Sequence, residues 1–191
     1  MKKMGWRHLV AVAGLCWLPT TASADFITTI GGNDCAGVFG QSFSDCTIPS
    51  QYDPDQSPVI IKFDRLNNGS FTTEINTDLF PSIDGSEFSF SFTGNGSTGT
   101  WTYNPGDDDP LINFFVAKGG PNFNLFSNLG DPNTDAWSTP LNGGGNPAGL
   151  SHLTFYDSGI TPPQEIPEPG TLALLGLGLL GFSALRARSK Q

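Results

Sequence analysis

Residues 87–93, with the sequence EFSFSFT, alternate apolar and polar side chains. Successive side chains of a β-strand point to opposite faces of its sheet, so the pattern predicts a strand with three buried phenylalanines and two exposed serines. Turn-forming residues follow at 94–99, and a second short run after them contains Trp101 and Tyr103. Residues 88–103 therefore predict a β-hairpin, with Trp101 and Tyr103 in the core.

Short runs of the same kind recur along the chain, separated by turns rich in Gly, Asn and Pro. No segment between residues 25 and 165 shows sustained helical periodicity. The other predicted strands are residues 59–66, 71–75, 100–103, 111–117, 122–126 and 150–156. This pattern favours one all-β domain over residues 25–161, an antiparallel β-sandwich or jelly roll.

The part of the chain between the two ends is strongly acidic. Residues 25–165 contain 17 acidic and 3 basic residues, for a formal charge of −14. Recognition of phosphate relies on Lys and Arg, so this balance argues against nucleic acid and anionic lipid as ligands. It favours solubility, divalent cations or neutral glycans.

Cys35 and Cys46 are the two cysteines of residues 25–165. A pair of cysteines in an exported chain predicts a disulfide. In the loop-entropy model, closing so short a loop stabilises the fold by roughly 2 to 3 kcal/mol. Zinc is not expected, because the pair lacks the usual ligand spacing.

Residues suited to catalysis are scarce. His152 is the only histidine of residues 25–165, and the chain has neither a Gly-x-Ser-x-Gly elbow nor a His-Glu-x-x-His helix. Because His152 lies in an alternating segment, we interpret it as a strand residue with a satisfied hydrogen bond. Glu74 and Glu87 are the pair that a degenerate glycan hydrolase would use. We expect no enzyme.

Three features are candidate ligand sites. Asp107, Asp108 and Asp109 form a loop whose oxygen ligands suit calcium, although a solvated turn is the favoured interpretation. Residues 131–135 begin like a calcium loop, but its later glycine and glutamate are missing. Trp137, in a stretch resembling a loop, is predicted to be exposed and able to stack on a sugar.

The N-terminus has the organisation of a signal peptide, predicted over residues 1–24. Basic residues precede the apolar segment 9–18, and Ala22 and Ala24 supply the small side chains that signal peptidase requires. Cleavage after Ala24 would leave Asp25 as the mature N-terminus. Lipidation at Cys16 is an alternative, which Leu15 disfavours because a small residue is expected there.

The C-terminus combines three elements. A proline-rich spacer, residues 162–166, leads into Pro167, Glu168 and Pro169, whose prolines keep the peptide extended. The apolar run 171–185 predicts a short transmembrane helix that spans roughly 22 Å. The basic tail 186–191 would keep the C-terminus cytoplasmic, through the three residues Arg186, Arg188 and Lys190.

This tail, IPEPGTLALLGLGLLGFSALRARSK, closely resembles the PEP-CTERM protein-sorting domain of Gram-negative bacteria, also called the ice-binding protein C-terminal domain. The resemblance implies export through the inner membrane, transient anchoring there and processing by an exosortase. It also implies that Pro167, Glu168 and Pro169 are the recognition signature. Delivery to the cell surface or extracellular matrix, in the context of exopolysaccharide or a biofilm, is the expected outcome.

Three hypotheses for the exported domain follow. The first is a matrix or surface protein without catalytic activity, whose partners are signal peptidase, exosortase and exopolysaccharide. The second is a carbohydrate-binding or calcium-dependent adhesive module. The third is a degenerate glycan hydrolase.

Overall fold

A computed structural model describes residues 24–128 and 133–157 of the chain. A short π-helical turn, Asp34–Val38, is the one helical segment there. No helix within these ranges is long and apolar enough to cross a membrane. The predicted transmembrane segment 171–185, the spacer 162–166, the sorting signal and all but the last residue of the predicted signal peptide lie outside them.

The described residues form nine strands. In chain order these are β1 Asp25–Gly31, β2 Val59–Arg65, β3 Phe71–Ile75, β4 Phe88–Phe92, β5 Thr98–Tyr103, β6 Ile112–Gly119, β7 Asn122–Ser127, β8 Thr134–Ser138 and β9 Leu150–Asp157. The first strand begins at the residue that cleavage after Ala24 would expose, although the cleavage itself stays a prediction.

The strands form two antiparallel sheets. The larger has the order β1-β7-β6-β9-β2-β3 and the smaller the order β4-β5-β8. Every neighbouring pair in both sheets is antiparallel. The predicted all-β class and antiparallel pairing are therefore confirmed, whereas the two sheets do not close into a complete sandwich.

The hairpin predicted from the alternating phenylalanines is confirmed as β4 and β5. Phe88 pairs with Tyr103 and Phe92 pairs with Gly99 across the two strands. Gly94 and Gly96 in the turn both have positive φ, which glycine adopts without strain. The local sequence thus specifies both the strands and the turn between them.

Aromatic side chains fill the space between the two sheets. Trp101 of β5 lies 5.4 Å from Phe115 and 5.1 Å from Phe155, measured between ring centroids, and Phe88 lies 4.7 Å from Phe155. Edge and tilted ring contacts of this kind stabilise beyond the apolar area that they bury. Trp101 and Tyr103 are fully buried, as predicted.

A second apolar cluster covers the opposite face of the large sheet, here called the outer face. The long connection between β1 and β2 contributes Cys35, Phe39, Cys46 and Ile48, which pack on outward-facing residues of β2, β6, β7 and β9. The predicted Cys35–Cys46 disulfide is confirmed within this cluster. We call residues 32–58 the stapled loop; it covers part of the outer face of the large sheet, while the small sheet packs against the inner face.

Two strands were not predicted, β1 and β8. In β1 the register with β7 shifts between Phe26 and Thr28, which interrupts the alternation, and most of its side chains are exposed. Strand β8 occupies the stretch around Trp137 that resembles a loop in the sequence. Its tryptophan, Trp137, is only 2% exposed and donates its indole N–H to the Gly96 carbonyl over 3.0 Å. The predicted exposure of Trp137 is therefore wrong, and it offers no platform for a sugar.

The packing of Trp137 depends on the absence of a side chain at Gly99. A Cβ built there would lie 2.3 Å from the Trp137 ring and 2.7 Å from the Ser91 carbonyl oxygen. We expect Gly99→Ala to lower the free energy of unfolding by about 1–3 kcal/mol, as measured by urea denaturation. Gly143→Ala is the matched control, since a Cβ there meets nothing within 4 Å. Equal stability of the two variants would contradict this account of the packing.

Candidate functional site beside the stapled loop

The outer face of the large sheet has an apolar half and a polar half. The apolar half lies beneath the stapled loop. In the polar half, Lys118, His152 and Asp64 stand directly opposite one another on β6, β9 and β2. The adjacent row places Thr154 opposite Lys62, and Lys62 opposite Glu74. Strand register thus brings charged residues from distant parts of the chain together.

A β-bulge shapes this polar half. His152 pairs with Lys118, yet the next pair joins Leu150 to Gly119, so β9 carries one extra residue, Ser151. The bulge turns Leu150 into the core between the sheets and leaves Ser151 exposed. Bulges of this kind redirect side chains and are frequent beside binding sites.

Asp34 connects the stapled loop to β9. Its Oδ1 lies 2.8 Å from His152 Nε2, and its Oδ2 accepts hydrogen bonds from Thr154 Oγ1 at 2.7 Å and Tyr156 Oη at 3.2 Å. The three partners alternate along one strand, so all of them face the loop. Tyr156 Oη also lies 3.4 Å from each sulfur of the disulfide. One carboxylate therefore fixes the loop at the point where it is also cross-linked.

The same contacts keep Asp34 ionised although it is buried. Burial alone would raise the pKa of Asp34. The surrounding groups lower the pKa to about 2 instead. They are the hydrogen bond with His152, the charge of that ring when protonated, and the hydrogen bonds from Thr154 and the Cys35 amide. Burial and the negative charge of Asp34 in turn raise the pKa of Tyr156.

His152 lies between two carboxylates. Its Nε2 contacts Asp34, and its Nδ1 lies 3.7 Å from Asp64 Oδ1. The predicted strand position and satisfied hydrogen bond are both confirmed. A general base needs one ring nitrogen directed at the group that it deprotonates. The arrangement suits a structural bridge better than proton transfer to a substrate.

Lys118 is a buried cation of the same face, with only 6% of its surface exposed. Its Nζ donates to the carbonyl oxygens of Gly32 at 3.1 Å and Gly120 at 2.8 Å. Within residues 24–128 and 133–157, no carboxylate oxygen lies within 4 Å of this nitrogen. Burial lowers the pKa of Lys118, and the charge of Asp34 opposes that shift.

A cleft of about 330 Å³ opens where the stapled loop meets the polar half of the sheet. Asp34, Cys35 and His152 are buried residues of its lining. The side chains available to a ligand include Asn33, Phe43, Lys62, Glu74, Lys118 and Ser151. Phe43 is a half-buried aromatic ring that packs against the apolar cluster and also lines the cleft. We call this the loop cleft.

The sites predicted from sequence lie elsewhere. Asp109 accepts a hydrogen bond from the Gly106 amide over 2.7 Å within its own turn. No three His, Cys, Asp or Glu side chains of the described residues are grouped as a metal site, so calcium at Asp107, Asp108 and Asp109 stays a prediction. Glu74 lines the loop cleft, whereas Glu87 binds the backbone amides of Asp84 and Gly85 beside the small sheet.

Sequence reasoning did not find Asp34 or Lys118 as members of a site. Asp34 lies in an irregular segment 118 residues from His152, and no local pattern connects the two. For Lys118, one signal is present in the sequence: it is one of three basic residues in residues 25–165, and it directly follows the predicted strand 111–117.

Comparison with family models gives one match, to the PEP-CTERM protein-sorting motif, over residues 165–189. The chain carries a PEP-CTERM sorting signal. The resemblance noted in the sequence is thereby confirmed, and the matched range includes Pro167, Glu168 and Pro169. No curated protein and no solved structure matches the chain.

The PEP-CTERM signal defines the route of the protein. It implies export and transient membrane anchoring in a Gram-negative bacterium, with an exosortase as the processing partner. The matched residues lie beyond the described part of the chain.

The role of Asp34 predicts a large effect of its removal. Asp34→Ala leaves His152, Thr154 and Tyr156 without their shared acceptor, and we expect it to lower the free energy of unfolding by about 3 kcal/mol. Urea denaturation with the disulfide intact measures the change. Asp55→Ala, at an exposed carboxylate of the same loop, is the control. A similar decrease in the free energy of unfolding in both variants would contradict the role assigned to Asp34.

Acid should weaken the native state through the same carboxylate. Between about pH 4 and pH 2 the unfolded chain takes up a proton at Asp34 while the folded protein does not, so stability falls as pH falls. The shift from 3.8 to about 2 corresponds to about 2 kcal/mol. Asp34→Asn should remove this part of the acid dependence in denaturation curves over that range. If the free energy of unfolding of Asp34→Asn changes with pH as steeply as that of the unaltered protein, another group is responsible.

Proposed function

We propose that this protein is a surface or extracellular-matrix protein without catalytic activity, which an exosortase processes and which associates with exopolysaccharide. The PEP-CTERM signal at residues 165–189 carries the proposal. After the predicted signal peptide is removed, the domain is held at the inner membrane by residues 171–185, and cleavage near Pro167, Glu168 and Pro169 then releases it to the surface.

The chemistry of the described domain supports a role in binding rather than catalysis. Both nitrogens of His152 face carboxylates, and Glu74 and Glu87 do not share the loop cleft. A glycosidase needs two carboxyl groups on opposite sides of one glycosidic bond. Turnover of a glycan by the purified protein, lost in Glu74→Gln, would overturn this part of the proposal.

Exopolysaccharide association agrees with the strong negative charge and with the polar loop cleft. The charge of −14 over residues 25–165 keeps the domain soluble and disfavours nucleic acid. The loop cleft combines hydrogen-bonding groups with one aromatic ring, as in many small-molecule sites. This observation favours the carbohydrate-binding alternative at the loop cleft and no longer at Trp137.

The sorting step is tested at Glu168. We expect Glu168→Ala to be exported normally but to accumulate in the membrane fraction as a precursor, because the recognition signature is broken. Immunoblotting of membrane, surface and released fractions measures precursor and mature forms. Gln164→Ala, just outside the matched range, is the matched control and should be processed normally.

Normal amounts of mature protein at the surface of the Glu168→Ala strain would contradict processing by an exosortase. Loss of export in that strain would instead place the defect before the sorting step, which the proposal does not predict.

A further inference from the structure

Lys118 is the one basic side chain lining the loop cleft that has no carboxylate oxygen within 4 Å among residues 24–128 and 133–157. A buried ammonium group is costly unless an anion is close, and Lys118 has backbone carbonyls as its hydrogen-bond partners but no carboxylate within 4 Å among residues 24–128 and 133–157. An ammonium group has three N–H donors, of which two are used. Its remaining donor is available on the side chain that lines the loop cleft.

The other basic groups of the loop cleft are already paired with carboxylates. Lys62 Nζ lies 2.9 Å from Asp64 Oδ2, and His152 contacts Asp34. A negatively charged group of a ligand would therefore gain the most binding free energy at Lys118. Such a contact is a charge-assisted hydrogen bond, which is stronger than one between neutral groups.

We propose that the loop cleft binds a single carboxylated sugar residue, a hexuronic acid unit of a polysaccharide, with its carboxylate on Lys118. The inference rests on the exopolysaccharide association proposed above and names the chemical class that the association recognises. The sugar hydroxyls would find hydrogen-bonding partners in Asn33, Glu74 and Ser151, which line the same opening.

Size and shape agree with one sugar residue. The volume of about 330 Å³ lies at the lower end of small-molecule sites, roughly 300–1,000 Å³. Phe43 supplies an apolar surface at the wall, against which the C–H face of a pyranose ring can pack. A free inorganic anion would leave this surface and most of the cleft unused.

The charge of the domain limits the polymer. With a formal charge of −14 over residues 25–165, long-range repulsion opposes a chain that carries a carboxylate on every sugar. An isolated carboxylate is tolerated, because at 0.1 M salt charges more than about 10 Å apart are largely screened. The ligand is therefore a mostly neutral polysaccharide with sparse uronic acid units.

Calorimetric titration of the full chain in detergent micelles tests the inference with four probes: glucuronate, its methyl ester, glucose and acetate. We expect glucuronate to bind more tightly than each of the other three. The ester and glucose lack the charge, while acetate lacks the sugar ring. Equal affinity for glucose or the ester would overturn recognition of the carboxylate, and equal affinity for acetate would overturn recognition of the sugar.

Lys118→Met keeps the length of the side chain and removes its charge, and we expect it to weaken glucuronate binding about tenfold or more. Arg65→Met is the matched control, since Arg65 is the third base of residues 25–165 and lies over the Phe92 ring, outside the loop cleft. Unchanged affinity in a folded Lys118→Met protein overturns the inference. If that variant does not fold, the comparison of glucuronate with its ester on the unaltered protein decides whether the carboxylate is recognised.

The same preparations separate this inference from the function on which it rests. Sedimentation with the matrix polysaccharide of the source cells measures association directly, and free glucuronate should compete with it. Association that neither glucuronate nor Lys118→Met reduces would overturn the uronic acid site and leave the proposed association in place. Absence of any association would overturn both, while sorting is decided separately by Glu168→Ala.

Discussion

The buried carboxylate of Asp34 is the interaction on which the outer half of the molecule depends. It binds three alternate side chains of β9 and lies next to the disulfide, so a loop with little regular structure acquires a fixed position on the sheet. The disulfide limits the freedom of the loop, but it joins the loop only to itself. Asp34 connects the loop to three side chains of β9, while the apolar cluster around Phe39 and Ile48 provides the packing.

The loop cleft is a consequence of where that loop stops. The outer face of the large sheet is apolar beneath the loop and charged beyond it. The charged residues lie side by side because of the register of β6, β9 and β2. A single extra residue, Ser151, forms a bulge in β9 and lines the cleft. On an open sheet these charged groups would face only solvent. Here they line a cleft together with Asn33 and Phe43 of the stapled loop.

Local patterns in the sequence predicted most of the strands, because alternation and turn residues act within a few positions. The hairpin of β4 and β5 and the strand position of His152 follow from such patterns, and the disulfide follows from the presence of just two cysteines in residues 25–165 of an exported chain. Strand β1 was missed because a bulge interrupts its alternation, and Trp137 was misplaced because its burial depends on Gly99 of a neighbouring strand. The partners of Asp34 and Lys118 could not be predicted, since they are set by the pairing of strands distant in sequence.

The order of strands in the large sheet has a consequence for secretion. Strand β2 pairs with β9 and β1 pairs with β7, so each of the first two strands has a neighbour that is exported much later. Contacts so distant in sequence form late, because the intervening chain must be present and ordered. A chain that crosses the membrane from its N-terminus can close this sheet only after Asp157 has emerged. Little more than the spacer then separates the finished domain from its PEP-CTERM signal, so anchoring and the completion of folding fall within the same short interval of export.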